Sequence, residues 1–173
     1  LLLDETIVRR LRALASTRAL TLNALLLGSL AAFVNRRSGQ RDFNLSQTYL
    51  GRRPHQLRDV GSFSSNAPMV FSFGDDGPSL ADTCRHVLSE TRRAMALPLL
   101  PRAPCSALHY ELNDMRPIPL PPLARGAGGP RSSALPGLFV MMLEYAGGFV
   151  VHIEYDAGRY NEEGVSDFVL AWL

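Results

Sequence analysis

The segment from Leu22 to about Arg37 constrains the fold most, because its residues are apolar on nearly every side of a helix. A helix of this kind is stable in water only when other elements cover it. Thr21 is a suitable N-cap, and Ser38-Gly39 ends the pattern as helices commonly end. Small residues such as Gly28 would let a neighbouring element pack closely. The sequence therefore predicts a buried helix inside a layered domain.

Periodicity and turn signals predict the remaining elements. They are helices over Asp4–Ser16, Leu80–Ala96 and Glu162–Trp172, a short helix near Ser106–Leu112, and strands over Phe43–Tyr49, Met69–Phe73, Leu138–Tyr145 and Phe149–Tyr155. We interpret residues 1–173 as a single domain of the α/β (α+β) class, with helices packed on a mixed sheet. Residues 114–136 are Pro/Gly-rich, and we expect part of this loop to be disordered.

Composition excludes several functions. The chain has 173 residues, of which 46% are hydrophobic and 20% charged, so it can build one core. Its longest apolar stretch, Ala24–Val34, is too short to cross a bilayer, and we expect no membrane association. No initiator Met is present, so we expect a piece of a longer chain.

All 18 basic residues are Arg, which excludes a Schiff-base or phosphate-loop lysine. The net charge of +2 without a basic stripe argues against nucleic acid binding.

Isolated thiols and imidazoles predict no metal site and no catalytic residue in this chain. Cys84 and Cys105 lack metal-ligand spacing, and free thiols fit a reducing, cytoplasmic compartment. The four histidines are separated from one another: His55, His86, His109 and His152. We expect His109 and His152 to be packing or surface residues. Glu144, on the predicted hairpin with Glu154 and Asp156, is expected on its solvent face.

The stretch from Leu50 to Val70 is the strongest candidate for a ligand-contacting loop. Its glycines, prolines and small hydroxyl residues suit a backbone that bends tightly and approaches a ligand. Arg52 could bind a phosphate, or be a solvated turn residue. Ser64, Ser65 and Asn66 could hydrogen-bond a ligand, or could satisfy the backbone of their own turn.

Five ordered segments resemble motifs of the condensation domains of nonribosomal peptide synthetases, in the chloramphenicol-acetyltransferase-like superfamily. They are residues 21–42 (TLNALLL followed by SGQRD), 48–54 (TYLGRRP), 60–69 (VGSFSSNAPM), 131–142 (RSSALPGLFVMM) and 151–156 (VHIEYD). They resemble, in turn, the family's "T-hydrophobic-LL…sGqdD", "pvaGRp", "vGxFvNtlpl", "R..S..PLFqvmf" and "l.YdtdlFd" segments. In the family's third motif the Asn lies two residues after the Phe, whereas here Ser65 holds that place and Asn66 follows.

The resemblance implies the C-terminal lobe of a condensation domain, which joins a carrier-bound acyl or peptidyl thioester to an acceptor as an amide or ester. It implies that Arg52, Gly61, Phe63, Ser64, Ser65 and Asn66 lie in a substrate tunnel or in the latch between lobes. The implied partners are an N-terminal lobe and acyl or peptidyl carrier proteins, which carry the phosphopantetheine; no cofactor binds this lobe directly. Without its partner lobe, we expect this one to self-associate.

The family's catalytic HHxxxDG motif is absent, because no two histidines are adjacent in this sequence. Whether this segment belongs to an enzyme therefore stays open. A non-catalytic lobe that binds carrier proteins is one alternative. A coenzyme A-dependent acyltransferase is another, and Phe63-Ser64-Ser65 is also similar to part of a heterocyclization-domain motif.

Overall fold

A computed structural model of the chain describes residues 1–50, 64–75, 77, 79–96, 106–116 and 137–173. Ten helices and strands occur in these ranges. They are β1 (Leu2–Asp4), α1 (Glu5–Thr17), α2 (Leu22–Ser38), β2 (Asp42–Leu50), β3 (Ser64–Ser72), α3 (Leu80–Ala96), β4 (Leu108–Asp114), β5 (Leu138–Tyr145), β6 (Gly148–Tyr155) and α4 (Glu162–Trp172).

The strands form one mixed sheet in the order β1-β6-β5-β4-β2-β3. β4 runs parallel to both of its neighbours, β2 and β5, and the other pairs are antiparallel. Alternate side chains along each strand point to opposite faces. The main core lies on one of these faces, which we call the helix-covered face; it carries Leu45, Met69, Tyr110, Val140 and Val151 against buried residues of all four helices described.

We call the opposite side of the sheet the second face. The register assigns to it Asn44, Ser46, Thr48, Asn66, Pro68, Val70, His109, Glu111, Asn113, Phe139, Met141, Leu143, Val150, His152 and Glu154. Within the described ranges, none of these side chains belongs to the main core. The second face is therefore more polar than the helix-covered one.

Helix α2 is buried as predicted and begins and ends at the predicted signals. The Thr21 side chain accepts a hydrogen bond from the Ala24 backbone N–H, and Gly39 closes the helix at φ 70°. Cys84 of α3 lies against Gly28, where a Cβ atom would be 2.6 Å from the Cys84 sulfur. The small residue in α2 thus sets the close approach of α3, because any larger side chain would collide with the thiol.

The structure confirms the predicted helices α1, α3 and α4, strand β2 and the β5–β6 hairpin, and it corrects two other element predictions. The predicted helix near Ser106–Leu112 is wrong: Leu108–Asp114 is strand β4, placed between β2 and β5. Strand β3 begins at Ser64 rather than at Met69. Strand β1, which had no sequence prediction, pairs with β6 at the sheet edge. Most of the predicted disordered loop, 117–136, lies outside the described residues.

The expectation that Glu144 lies on the solvent face of the hairpin is wrong. Glu144 points to the helix-covered side and is 6% exposed, because α1 crosses this end of the sheet. There Arg12 of α1 donates from Nε to Glu144 Oε1 at 3.2 Å and pairs with the same oxygen through its terminal nitrogen. A charge-assisted bond of this kind compensates the buried carboxylate.

No single helix among the described residues is long and apolar enough to cross a bilayer. Taken together, α1 and α2 have the length and apolar composition of a membrane span, but their axes are bent by 96° relative to each other.

Candidate functional site

Three of the six residues predicted for the tunnel or latch belong to strand β3. Ser64, Ser65 and Asn66 are the first residues of this strand and pair with the last residues of β2. They are thus not a loop leading into a strand, as the sequence suggested. Arg52, Gly61 and Phe63, the other predicted residues, lie outside the described residues.

Strand alternation separates these three residues instead of grouping them. Ser65 is buried on the helix-covered face, whereas Ser64 and Asn66 lie on the opposite side. Asn66 is half-buried and Ser64 is exposed. Of the three, Asn66 therefore takes part in the polar cluster described next.

A chain of hydrogen bonds on the second face links three neighbouring strands. Thr48 of β2 donates from Oγ1 to Asn66 Oδ1 of β3 at 3.0 Å. The same hydroxyl lies 2.6 Å from Nε2 of His109 in β4. The register brings Thr48 opposite Asn66 and puts His109 beside Ser46, two residues earlier in β2. We call Thr48, Asn66 and His109 the polar cluster.

His109 is the most deeply buried member of the polar cluster. Its side chain is 6% exposed, and its ring lies 4.6 Å from that of Phe139, centroid to centroid. Burial lowers the pKa of His109 to about 4, so the imidazole is neutral near pH 7. Its second nitrogen, Nδ1, is buried and has no hydrogen-bond partner among the described residues.

Ser46 extends this polar region beneath the cluster. It is 1% exposed, and its hydroxyl likewise has no hydrogen-bond partner within the described ranges. Buried polar atoms without partners are uncommon in folded proteins, and each calls for an explanation. Among the described residues there are three: the Tyr110 hydroxyl on the helix-covered face, and Ser46 Oγ and His109 Nδ1, which lie at paired register positions on the second face.

Three other side chains considered in the sequence analysis, Cys84, His86 and His152, make contacts of a structural kind. Cys84 is a free, buried thiol, as predicted, and burial raises its pKa. A raised pKa makes the thiol a poor nucleophile. The imidazole of His86 lies 2.7 Å from the backbone oxygen of Val70 on the outer edge of the sheet. His152 lies 3.2 Å from Glu154 and is exposed.

A cavity of about 470 Å³ lies elsewhere, where α2 ends and α4 begins above the first residues of β2, β4 and β5. Val34, Leu45 and Phe168 contribute to its walls, and Arg37 and Arg159 also line it. None of the predicted site residues that the structure describes lines this cavity. The cavity and the polar cluster are therefore separate features.

Solved structures with this architecture include condensation domains and a related acyl transferase. A condensation domain that mediates chain release from the enacyloxin polyketide synthase aligns with a TM-score of 0.75 at 14% identity, over 99% of this chain and 38% of that one. The first condensation domain of the CDA synthetase aligns with a TM-score of 0.73 at 20% identity, over 99% and 42%. The PapA2 acyl transferase gives 0.65 at 16% identity, over 98% and 41%. No protein-family model matches the sequence, and no curated protein does.

The chain has the fold of a condensation-domain lobe. The predicted fold class, a chloramphenicol-acetyltransferase-like α/β lobe, is confirmed. The chain spans about two fifths of the chains it matches, 38%, 42% and 41% in the three structures above.

Sequence reasoning identified Asn66 in this lobe but missed His109 and Thr48. His109 lies in strand β4 (LHYELND), which overlaps the short helix that the sequence predicts near Ser106–Leu112. As a strand, the same segment alternates: His109, Glu111 and Asn113 fall on one side and Leu108, Tyr110 and Leu112 on the other. That alternation is the signal that could have placed His109 on a polar face.

Proposed function

We propose that this lobe is the C-terminal half of an enzyme that joins a carrier-bound acyl or peptidyl thioester to an amine or hydroxyl acceptor. The observation that carries the proposal is the condensation-domain fold over 99% of the chain, which covers only 38% or 42% of the chains matched. The order of the sequence motifs supports the C-terminal position.

The reaction needs a base, a channel and a group that stabilises charge. The acceptor nitrogen or oxygen attacks the thioester carbonyl, the new C–N or C–O bond forms, and the C–S bond breaks. The acceptor loses a proton and the phosphopantetheine thiol leaves with one. No two histidines are adjacent in this sequence, so we assign the base to an HHxxxDG motif of the partner lobe. This lobe contributes the acceptor-side wall, through Ser64 and Asn66, and a docking surface for carrier proteins.

A reconstitution assay tests this proposal. The intact gene product would be purified, its mass measured, and its activity assayed with an acyl-loaded carrier protein and an amine-loaded one. We expect a condensed product by mass spectrometry, and loss of that product when the second His of the partner lobe's HHxxxDG motif is changed to Ala. A native protein of only these 173 residues would contradict the idea of a complete enzyme.

Three other functions would give different results in the same assay. A non-catalytic lobe is favoured by the absence of adjacent histidines, and it would bind carrier proteins without forming product. A coenzyme A-dependent acyltransferase is favoured by the similarity to the PapA2 acyl transferase, and it would use acyl-coenzyme A in place of the loaded carrier. Heterocyclization would instead yield a product lighter by one further water. For all of these functions we propose a cytoplasmic location, which the free Cys84 thiol supports.

A further inference from the structure

We propose that His109 is a positioning residue, which acts through Thr48 to orient the Asn66 amide so that its N–H groups face the carbonyl of the thioester substrate. This inference rests on the proposed function, because it assigns a substrate group to the polar cluster of the same lobe. It is carried by the hydrogen bonds that join three adjacent strands, at 3.0 Å and 2.6 Å.

The tautomer of His109 follows from its partners. A neutral imidazole carries one N–H, and the other nitrogen accepts hydrogen bonds. In the part of the chain that the structure describes, Nδ1 is buried without a partner, whereas Nε2 contacts the Thr48 hydroxyl. A buried N–H without an acceptor is rarer and costlier than a buried lone pair without a donor. The proton therefore belongs on Nε2, which donates to Thr48.

The direction of the second bond follows from the first. A hydroxyl has one proton to donate. Since Thr48 Oγ1 accepts from His109, its own proton is directed to Asn66 Oδ1 at 3.0 Å. This bond fixes which end of the amide is oxygen and which is nitrogen. Asn66 therefore meets a ligand through Nδ2, as a donor.

An N–H donor suits a particular substrate group. The thioester carbonyl oxygen gains negative charge as the acceptor attacks, and oriented N–H donors stabilise that charge. The ring contact of His109 with Phe139, at 4.6 Å, and the burial of the imidazole hold the first member of the relay in place. The amide is thus oriented before the substrate arrives, which is the condition for such stabilisation.

The kinetic experiment uses the full-length protein that contains this lobe. His109→Leu removes the relay, Asn66→Ala removes the amide, and His109→Gln keeps a side-chain N–H donor. We expect His109→Leu and Asn66→Ala each to lower kcat by about 10²-fold with little change in KM. The double variant should be no worse than Asn66→Ala alone, because both changes remove one interaction. His109→Gln should recover most of kcat, and the exposed His152→Gln serves as the matched control.

If the falls in kcat caused by His109→Leu and Asn66→Ala multiply in the double variant, the proposal is overturned. A wild-type kcat in His109→Leu would overturn it as well.

A second measurement does not depend on activity or on the folding of a variant. Histidine-selective ¹⁵N labelling of the unsubstituted protein, with two-bond ¹H–¹⁵N correlations, should show His109 neutral with its proton on Nε2 at pH 7. A proton on Nδ1, or a charged ring, would overturn the relay whatever the activity. A correct tautomer in a protein that forms no condensed product would contradict the proposed function and the substrate role together.

Discussion

At the scale of single residues, His109 couples the stability of the lobe to pH. Burial lowers its pKa from 6.5 to about 4, so the folded chain resists protonation there. Below pH 6.5 the unfolded chain gains a proton on this side chain that the folded chain gains only near pH 4. The free energy of unfolding must therefore fall as the pH drops through this window.

We expect this contribution to lower the free energy of unfolding by about 2 kcal/mol between pH 7 and pH 5. Denaturant titrations at a series of pH values would measure it. The His109→Gln variant lacks the titrating group, so its stability should depend less on pH in this window. His152→Gln, an exposed control, should keep the wild-type dependence. Equal pH slopes for His109→Gln and the wild type would contradict the prediction.

The polar cluster shows how far single residues could be predicted. Asn66 could be singled out because it lies in a local motif of small polar residues. His109 and Thr48 come within 2.6 Å of each other only through the parallel pairing of β2 with β4, which joins segments 61 residues apart. Local sequence patterns carry no information on such a pairing. The cluster therefore required the structure.

At the scale of elements, the close contact of α2 with α3 depends on Gly28. A methyl group there would lie 2.6 Å from the Cys84 sulfur and 2.9 Å from its Cα. Because the Cα belongs to the backbone, the helices would have to move apart.

We expect Gly28→Ala to lower the free energy of unfolding by about 1–3 kcal/mol, even though alanine favours helix by about 1 kcal/mol. Chemical denaturation followed by circular dichroism would measure the loss. Gly74→Ala is the control, since no atom of the described residues lies within 4 Å of a Cβ at that position, and this substitution should change the stability little. A stabilised Gly28→Ala protein would show that the helices adjust freely.

A second element-scale prediction concerns the ion pair that joins α1 to β5. Arg12→Met would leave the Glu144 carboxylate, only 6% exposed, without its partner. We expect a loss of about 1–3 kcal/mol in the free energy of unfolding. Adding Glu144→Gln removes the buried charge, so the double variant should recover part of this loss. If the double variant is no more stable than Arg12→Met, the buried carboxylate is not the cause.

Elements with strong local signals were predicted well, and those defined by partners were not. Thr21 and Gly39 bound α2 as the sequence indicated, and α4 covers the predicted range Glu162–Trp172. β4 was predicted as a helix although its seven residues alternate, and its place is set by parallel pairing with β2 and β5. β1 has three residues and exists through its pairing with β6. Both strands are stabilised by neighbours distant in sequence, which a local pattern does not show.

At the scale of the whole molecule, the second face differs from an ordinary protein surface. Met141, Leu143 and Val150 are half-buried on it, and Val70 on the outer strand is 62% exposed. Leu143 and Val150 are neighbours across β5 and β6, whereas Val70 lies on the edge strand at the far side of the sheet. Apolar groups left exposed on a surface favour association. We predict that these 173 residues, expressed alone, associate as their concentration rises.

Sedimentation velocity across a concentration series would detect this association. Val70→Lys places a charge on the second face and should shift the distribution towards monomer. Leu170→Lys is the matched control, because Leu170 is 59% exposed on α4, which packs on the other side of the sheet. A monomer at every concentration would contradict the prediction, and an equal effect of both substitutions would move the contact away from the second face.

Because Cys84 packs against Gly28, the reactivity of its thiol can be used to measure how often α2 and α3 separate. The buried Cys84 thiol can meet a solvent-borne reagent only while α3 is separated from α2. In a Cys105→Ser chain, the rate of thiol labelling would therefore count these separations in real time. Comparing that rate with the rate of global unfolding tells whether the helix layer opens by itself or only when the whole lobe comes apart.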